Sequence, residues 1–176
     1  IHLPENSKKK FGYACGGYVR NQGCKKAIGK YIAFCDDDDI WLSHKLEMQI
    51  TALQQSNCKM CTTEGIIGSG IYDHFKKYQK YNSEYYYDTL KNIYKNKGSH
   101  LLDNGNYDFI KIHNCIITSS VIIENDTLKK INYMKNIRNG EEDYDCWLRL
   151  LKHTDSIYIK EPCIYYDNGH GDGQQY

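Results

Sequence analysis

The sequence predicts an α/β fold in which a mostly parallel sheet is flanked by helices. Three observations support this prediction. The 176 residues are enough for one domain that builds its own core. The apolar run from Tyr31 to Cys35 is continuous, as in a strand that is covered on both faces of a parallel sheet. Segments with helical spacing precede and follow that run.

The two helices next to this strand are predicted from the spacing of their apolar residues. The first covers about 16–30 and is expected to bury the face formed by Val19, Gly23 and Ala27. The second follows Ser43, a residue type that caps helices, and ends near Gln55. Its buried stripe is expected at Leu42, Leu46, Ile50 and Leu53.

The remaining elements are predicted in the same way. Strands are expected at 59–63, 114–123, 157–159 and 163–166, a short helix at 125–130 and a longer one at 141–151. Residues 71–113 are polar, rich in Tyr and without clear periodicity, which indicates a variable insertion. The chain is therefore interpreted as one domain, 1–176, with an acidic-motif block at 14–63, the insertion at 71–113 and a C-terminal block at 114–176.

Composition excludes several classes of protein. The 23 basic and 22 acidic residues give a net charge of +1, which argues against a protein that binds nucleic acids or acidic membranes. No apolar run approaches the ~18 residues of a membrane span, and Ile1-His2-Leu3-Pro4 does not resemble a signal peptide. Eight irregularly spaced cysteines, several in apolar surroundings, indicate free thiols in a reducing compartment. A cytoplasmic protein without a transmembrane segment is expected.

Four consecutive aspartates, Asp36 to Asp39, come directly after the predicted buried strand. Ligands of open parallel sheets bind at the carboxyl ends of the strands. Four like charges packed together are costly unless a cation relieves the repulsion, and hard oxygen ligands suit Mg²⁺ or Mn²⁺. The run therefore predicts a divalent-metal site, and the alternative is a solvated acidic loop that also caps the next helix.

Two blocks resemble the family 2 glycosyltransferases of GT-A fold. The first is Val19-Arg20-Asn21-Gln22-Gly23, followed by Ala27 to Phe34 and by the acidic run, and it resembles the family's approach to a DXD metal motif. The second, Gly140 to Leu150, resembles the acceptor-side helix GEDYD-x-WLRL with one extra Glu. These blocks stand in the same order and at a similar distance as in the family, which is far more specific than a lone DXD.

Two shorter segments extend the resemblance, which covers about residues 14–63 and 114–170. Thr118 to Val121 resembles the strand that precedes the acceptor-side helix, and Tyr165 to His170 resembles a late YR-x-H segment in which Tyr166 replaces the Arg. In the family a strand-helix-strand unit that holds the nucleotide base precedes the metal motif. Residues 1–13 do not supply such a unit, so the expected domain is an N-terminally truncated GT-A domain.

The resemblance implies a metal-dependent, inverting glycosyltransferase. Such an enzyme moves a sugar from a nucleotide-diphosphate donor, here expected to be a UDP-sugar, to a hydroxyl group of a glycan or protein. The expected cofactor is Mn²⁺ or Mg²⁺, which would stabilise the leaving diphosphate. Two alternatives are a non-catalytic, truncated remnant that binds glycans or proteins, and, with less support, a metal-dependent phosphoesterase.

The resemblance also assigns roles to residues. It implies metal binding by Asp38, Asp36 and His170, and donor binding by Asp36, Asp37, Arg20 and Asn21. Catalysis is expected from Asp143, which would take the proton of the acceptor hydroxyl, supported by Glu142; substrate contact is expected from Trp147 and Ser119.

The residues themselves leave alternatives open. Trp147 either stacks on an acceptor sugar or fills the core beside its apolar neighbours. Arg20 and Asn21 either shape the donor pocket or tie their helix to the sheet. Asp143 is either the base or simply an acidic residue placed favourably at a helix N-terminus.

Overall fold

A mixed sheet of six strands forms the centre of the computed structural model, which describes residues 3–81, 110–111, 114–138 and 140–169. The strands are β1 (Tyr31–Ala33), β2 (Ile40–Trp41), β3 (Met60–Gly68), β4 (Gln79–Lys80), β5 (Ile122–Glu124) and β6 (Ser156–Asp167). Their order is β1-β5-β3-β6-β2, and β4 pairs with the C-terminal part of β3.

Five helices are described, and helices lie on both faces of the sheet. They are α1 (Ser7–Phe11), which contacts α2 and buries no residue, α2 (Gly16–Lys26), α3 (Lys45–Gln54), α4 (Asn125–Lys130) and α5 (Glu142–Leu150). Successive strand residues point to opposite faces. In β5, Ile123 therefore packs against Trp147 and Leu150 of α5, while Ile122 packs with Leu53 of α3. The predicted α/β architecture with helices on both faces is confirmed.

Strand direction differs from the prediction of a mostly parallel sheet. Of the strand pairs in the described part of the chain, β3 and β6 are parallel, and the other four pairs are antiparallel. A continuous apolar run indicates that a strand is covered on both faces. It carries no information on the direction of the neighbouring strand, which is why this part of the prediction was wrong.

The buried faces of α2 and α3 also differ from those predicted. Val19 is 44% exposed and Leu46 is 45% exposed. Polar side chains lie on the buried faces instead, namely Asn21 in α2 and Lys45 and Gln49 in α3. Hydrophobic periodicity does not find such residues, because a polar side chain can be buried when its hydrogen bonds are satisfied.

The predicted strand at 114–123 is interrupted by a 3-10 turn at Thr118–Ser120, and only Ile122–Glu124 is extended. The hydroxyl group of Ser120 donates to the carbonyl of Ile117 at 2.7 Å. Local side-chain hydrogen bonds of this kind compete with strand pairing. The turn, called here the 118–120 turn, brings three hydroxyl side chains to the sheet edge where the acidic run lies.

The last part of the sheet is simpler than expected, because the two predicted closing strands are one strand, β6. Most of the predicted insertion, residues 82–109 and 112–113, lies outside the described residues. At its beginning, the rings of Tyr72 and Tyr78 pack against Tyr165 of β6, with centroids 5.3 and 5.1 Å away. No helix in the described ranges has both the length and the apolar character needed to cross a membrane.

Candidate functional site

The four aspartates form a turn between β1 and β2, called here the acidic turn (Asp36–Asp39). The turn closes with a hydrogen bond from the Asp39 N–H to the Asp36 carbonyl at 3.3 Å. The Asp36 N–H donates to Ser119 Oγ at 2.9 Å, which joins the acidic turn to the 118–120 turn. Asp37 is exposed and Asp38 is half-buried, so two carboxylates of the turn are open to a ligand.

Asp39 is the buried member of the acidic turn. Its Oδ1 accepts from the N–H of Asp167 in β6 at 3.1 Å, while its Oδ2 has no partner among the described residues. Asp39 therefore does not cap α3. Burial raises the pKa of the Asp39 carboxyl to about 6, against the effect of hydrogen bonds from Ser119 and from the Asp167 N–H, which favour the charged form.

This pKa leads to a prediction for Asp39→Asn. A carboxyl whose pKa rises on folding stabilises the fold below its unfolded pKa, and that contribution is lost as the pH rises through about 6. The variant cannot ionise, so its stability does not fall as the pH rises through this range. The free energy of unfolding of the variant minus that of the wild type should therefore increase by up to about 3 kcal/mol between pH 4 and pH 7. Urea unfolding of both proteins in EDTA at the two pH values measures the change. If the difference in free energy of unfolding between the variant and the wild type is the same at both pH values, the raised pKa of Asp39 is contradicted.

Arg20 in α2 connects the acidic turn to α5. Its Nε and Nη2 donate to Asp36 Oδ1 at 3.1 and 2.6 Å, and its Nη1 donates to Glu142 Oε1 at 2.9 Å. All three nitrogens of the guanidinium group are thus used by two carboxylates, one from each block of the sequence. The structure therefore gives Arg20 an organising role between the two blocks, and its predicted contact with the donor stays a prediction.

Glu142 can reach Arg20 because α2 begins with two glycines. A Cβ on Gly16 would collide with Glu142 Oε1, and a Cβ on Gly17 would lie 2.5 Å from the Lys135 carbonyl. The buried carboxylate of Glu142 therefore lies against the N-terminus of α2, where the helix dipole favours a negative charge. Sequence analysis missed this role of the Gly16-Gly17 pair, which lies one residue before the matched motif.

Asp143 lies in the first turn of α5, next to the 118–120 turn. Thr118 Oγ1 donates to Asp143 Oδ2 at 2.6 Å. This hydrogen bond orients the half-buried carboxylate. Sequence analysis placed Thr118 in a strand and did not expect it to hold Asp143.

The 118–120 turn joins the acidic turn to Asp143. Ser119 Oγ accepts from the Asp36 N–H, and Thr118 Oγ1 donates to Asp143 Oδ2. Arg20 adds a second link, because it binds Asp36 and also Glu142, the residue next to Asp143 in α5. The structure therefore brings the predicted metal motif and the predicted base to one site. Burial raises the pKa of the Tyr166 phenol in β6, and the negative charges of Asp39, Asp38, Asp36 and Asp143 raise it further.

Three predicted site residues have other roles in the structure. Asn21 ties α2 to the chain at Met134, since its Nδ2 donates to the Met134 carbonyl and its Oδ1 accepts from the Met134 N–H. Trp147 is 0% exposed and packs 5.7 Å from the ring of Phe34, so it fills the core and presents no face to a sugar. Ser119 is fully buried and supports the acidic turn through its hydroxyl.

The acidic turn fits a divalent ion that shares its ligands with a substrate. Among the described residues, no group of three or more His, Cys, Asp and Glu side chains could hold a metal by itself. One Asp36 oxygen is occupied by Arg20, whereas Asp38 has open oxygens and Asp39 has an unpartnered buried one. Mg²⁺-type sites commonly use one or two carboxylates together with substrate phosphates and water. His170, the third predicted ligand, lies outside the described residues.

Comparison with known sequences gives consistent matches. The family model described as "Glycosyl transferase family 2" matches residues 11–122. An "uncharacterized glycosyltransferase" of Rickettsia felis is 33% identical over 131 residues, which are 74% of this chain and 18% of that protein. The Escherichia coli UDP-Glc:alpha-D-GlcNAc-diphosphoundecaprenol beta-1,3-glucosyltransferase WfgD is 51% identical over 39 residues, 22% of this chain and 15% of that protein. The chain spans less than a fifth of these relatives.

Comparison with solved structures shows the fold. Residues 1–349 of TarS from S. aureus superpose with a TM-score of 0.57 and 14% identity, covering 86% of this chain and 40% of that chain. The same protein has been solved in complex with UDP and with UDP-GlcNAc, and these structures match with TM-scores of 0.57 and 0.54.

Proposed function

Because the chain belongs to glycosyl transferase family 2 and has the GT-A fold, we propose that it is the part of a metal-dependent, inverting glycosyltransferase that carries the metal motif and the catalytic base. The observation that carries this proposal is that the 118–120 turn is hydrogen-bonded to both halves of the site, to the Asp36 N–H through Ser119 and to the Asp143 carboxylate through Thr118. The donor is a nucleotide-diphosphate sugar and the acceptor is a hydroxyl group of a glycan or protein.

The donor side is formed by the acidic turn. Asp38, with Asp36, supplies oxygens to Mn²⁺ or Mg²⁺, and the exposed Asp37 contacts the ribose or the water ligands of the ion. When bound, the ion acts as a Lewis acid for the leaving diphosphate. A uridine donor is supported by the name of WfgD and by the complexes of TarS.

The acceptor side is formed by the N-terminal turn of α5. Asp143 accepts the proton of the attacking hydroxyl group, and Thr118 holds its carboxylate in place through a hydrogen bond. Glu142 does not face the acceptor; it is fixed by Arg20 and anchors the start of the helix that carries Asp143. A single base opposite the leaving group leads to one displacement and to inversion at the sugar carbon.

Binding of the metal and nucleotide can be tested separately from transfer. Mn²⁺ together with UDP is expected to raise the melting temperature of the full-length protein more than either alone, because binding to the folded state stabilises it. Asp38→Asn should abolish the joint effect, since it removes a charged oxygen ligand. Asp126→Asn, which changes an exposed aspartate of α4, is the matched control and should behave as the wild type. A joint shift that survives in Asp38→Asn would contradict this ligand assignment.

The function itself is tested by transfer. The full-length protein is incubated with Mn²⁺ and a panel of nucleotide-sugars, and the anomeric configuration of the product is determined by NMR. Transfer with inversion supports the proposal, while retention of configuration would refute the single-base mechanism. Absence of transfer from every donor, combined with binding to a glycan array, would favour the non-catalytic binding module instead.

A further inference from the structure

A buried lysine lies behind the acidic turn. Lys45, in the first turn of α3, is 0% exposed, and its Nζ donates to Gln49 Oε1 at 2.7 Å. The same ammonium group lies 4.6 Å from the centre of the Trp41 ring. In the described ranges it forms no salt bridge. Burial lowers the pKa of Lys45 to about 8.

A lysine in this position is unfavourable for stability alone. Removing a cation from water costs several kcal/mol, and a hydrophobic residue of similar volume commonly serves as well or better. Lys45 lies on the buried face of α3 with Gln49 and Leu53, where a helix usually places apolar residues. The reason for a lysine at this position is therefore sought in its two partners, Gln49 and Trp41.

Both partners of Lys45 donate to backbone carbonyls. Gln49 Nε2 donates to the Cys61 carbonyl at 3.0 Å and to the Ser120 carbonyl at 2.8 Å. Trp41 Nε1 donates to the Phe34 carbonyl at 3.2 Å and to the Ser119 carbonyl at 3.0 Å. Three of these four carbonyls belong to the segments that build the candidate site.

These segments carry both halves of the site. Phe34 ends the approach to the acidic turn, whose Asp36 N–H is bound by the Ser119 hydroxyl. Ser119 and Ser120 belong to the 118–120 turn, and its first residue, Thr118, holds Asp143. The side-chain N–H groups of Gln49 and Trp41 thus hold the acidic turn and the 118–120 turn in one arrangement.

The cation determines how these donors point. A side-chain amide can present either its oxygen or its nitrogen to a neighbour, and a cation at Oε1 leaves Nε2 as the group that faces the two carbonyls. A positive charge over an indole ring is also attracted to the ring face, which holds Trp41 in its rotamer. A methionine in place of Lys45 could fill the space, but it could not donate to Gln49.

We propose that Lys45 is a positioning residue which, through Gln49 and Trp41, fixes the acidic turn relative to the 118–120 turn and to Asp143. This inference rests on the proposed function, because positioning matters for activity only if the acidic turn and Asp143 act together in transfer. Lys45 itself contacts neither donor nor acceptor, since it is fully buried.

The test is Lys45→Met in the full-length protein, with Lys130→Met, an exposed lysine of α4, as the matched control. Lys45→Met is expected to unfold at the same or a higher urea concentration than the wild type, and its kcat is expected to fall about tenfold, as for residues that orient catalytic groups. Hydrogen exchange measured by mass spectrometry should accelerate in peptides that cover residues 34–40 and 116–121. Lys130→Met should change none of the three quantities.

The outcomes separate this inference from the proposed function. Unchanged kcat and unchanged exchange in Lys45→Met overturn the positioning role and leave the proposed function standing. A loss of activity that only follows a loss of folded protein also overturns it, because that result describes a purely structural lysine. If the wild type transfers no sugar, the proposed function fails, and the exchange of the two peptides alone decides whether Lys45 positions these turns.

Discussion

Replacing Asp143 by asparagine is expected to lower the transfer rate about a thousandfold, the typical loss when a general base is removed. Donor binding should change less than about twofold, because Asp143 lies on α5 and the donor-binding carboxylates lie on the acidic turn. Steady-state transfer by the full-length protein measures the first quantity, and calorimetric titration with UDP and Mn²⁺ measures the second.

The control for this variant is Glu141→Gln. Glu141 is the exposed residue directly before α5, so its replacement removes a negative charge from the same helix terminus without touching the site. If the charge of Asp143 acted only on the helix dipole, the two variants would have similar, small effects of about 0.5 kcal/mol on stability. Near wild-type transfer by Asp143→Asn would exclude Asp143 as the base.

The second large effect is expected for Arg20→Leu. The substitution leaves the buried carboxylate of Glu142 and the half-buried carboxylate of Asp36 without their cation. Breaking a fully buried ion pair costs 3–5 kcal/mol, so about 3 kcal/mol is expected for this partly exposed one. Transfer should also be lost, because the acidic turn and α5 are no longer joined. Urea unfolding and steady-state kinetics of the full-length protein measure the two effects.

A double-mutant cycle identifies the source of this loss. Arg20→Leu combined with Glu142→Gln should recover about 1–2 kcal/mol relative to Arg20→Leu alone, since the isolated buried charge is removed. Lys129→Leu disrupts an exposed ion pair with Asp126 and should change stability by less than about 0.5 kcal/mol. Simple additivity of Arg20→Leu and Glu142→Gln would show that Arg20 does not join the two blocks through Glu142.

Local patterns predicted those parts of the fold that depend on neighbours in sequence. The helix that begins near Glu142 was predicted from its acidic first turn, and the strand that begins at Tyr31 from its apolar run. The interruption at Thr118–Ser120 was missed, because apolar residues flank it on both sides, while the Ser120 hydroxyl bonds the local backbone. Strand direction was missed because it depends on how distant segments pair.

In the candidate site, too, some features were predicted from local sequence and others depended on distant segments. The motifs around Asp36 and Asp143 were recognisable from residue types and their order, and the structure links both to the 118–120 turn. Trp147 was ambiguous because a tryptophan one helical turn after Asp143 can face either a ligand or the core, and only packing against Phe34 decides. Arg20 was expected at the donor because its motif suggests it; its two carboxylate partners are 16 and 122 residues away in sequence.

The sequence by itself determined the chemical groups available to this protein: four adjacent carboxylates after a strand, an acidic helix terminus and a family pattern that links them. Only the tertiary structure decided which of these groups are free to act and which are engaged as supports. The physical reason is that a charge or hydrogen-bond donor gains its role from what surrounds it. Asp39 is buried against β6, Arg20 is shared between two carboxylates, and Lys45 binds a glutamine that reaches β3 and the 118–120 turn, so each environment includes groups that are distant in the chain.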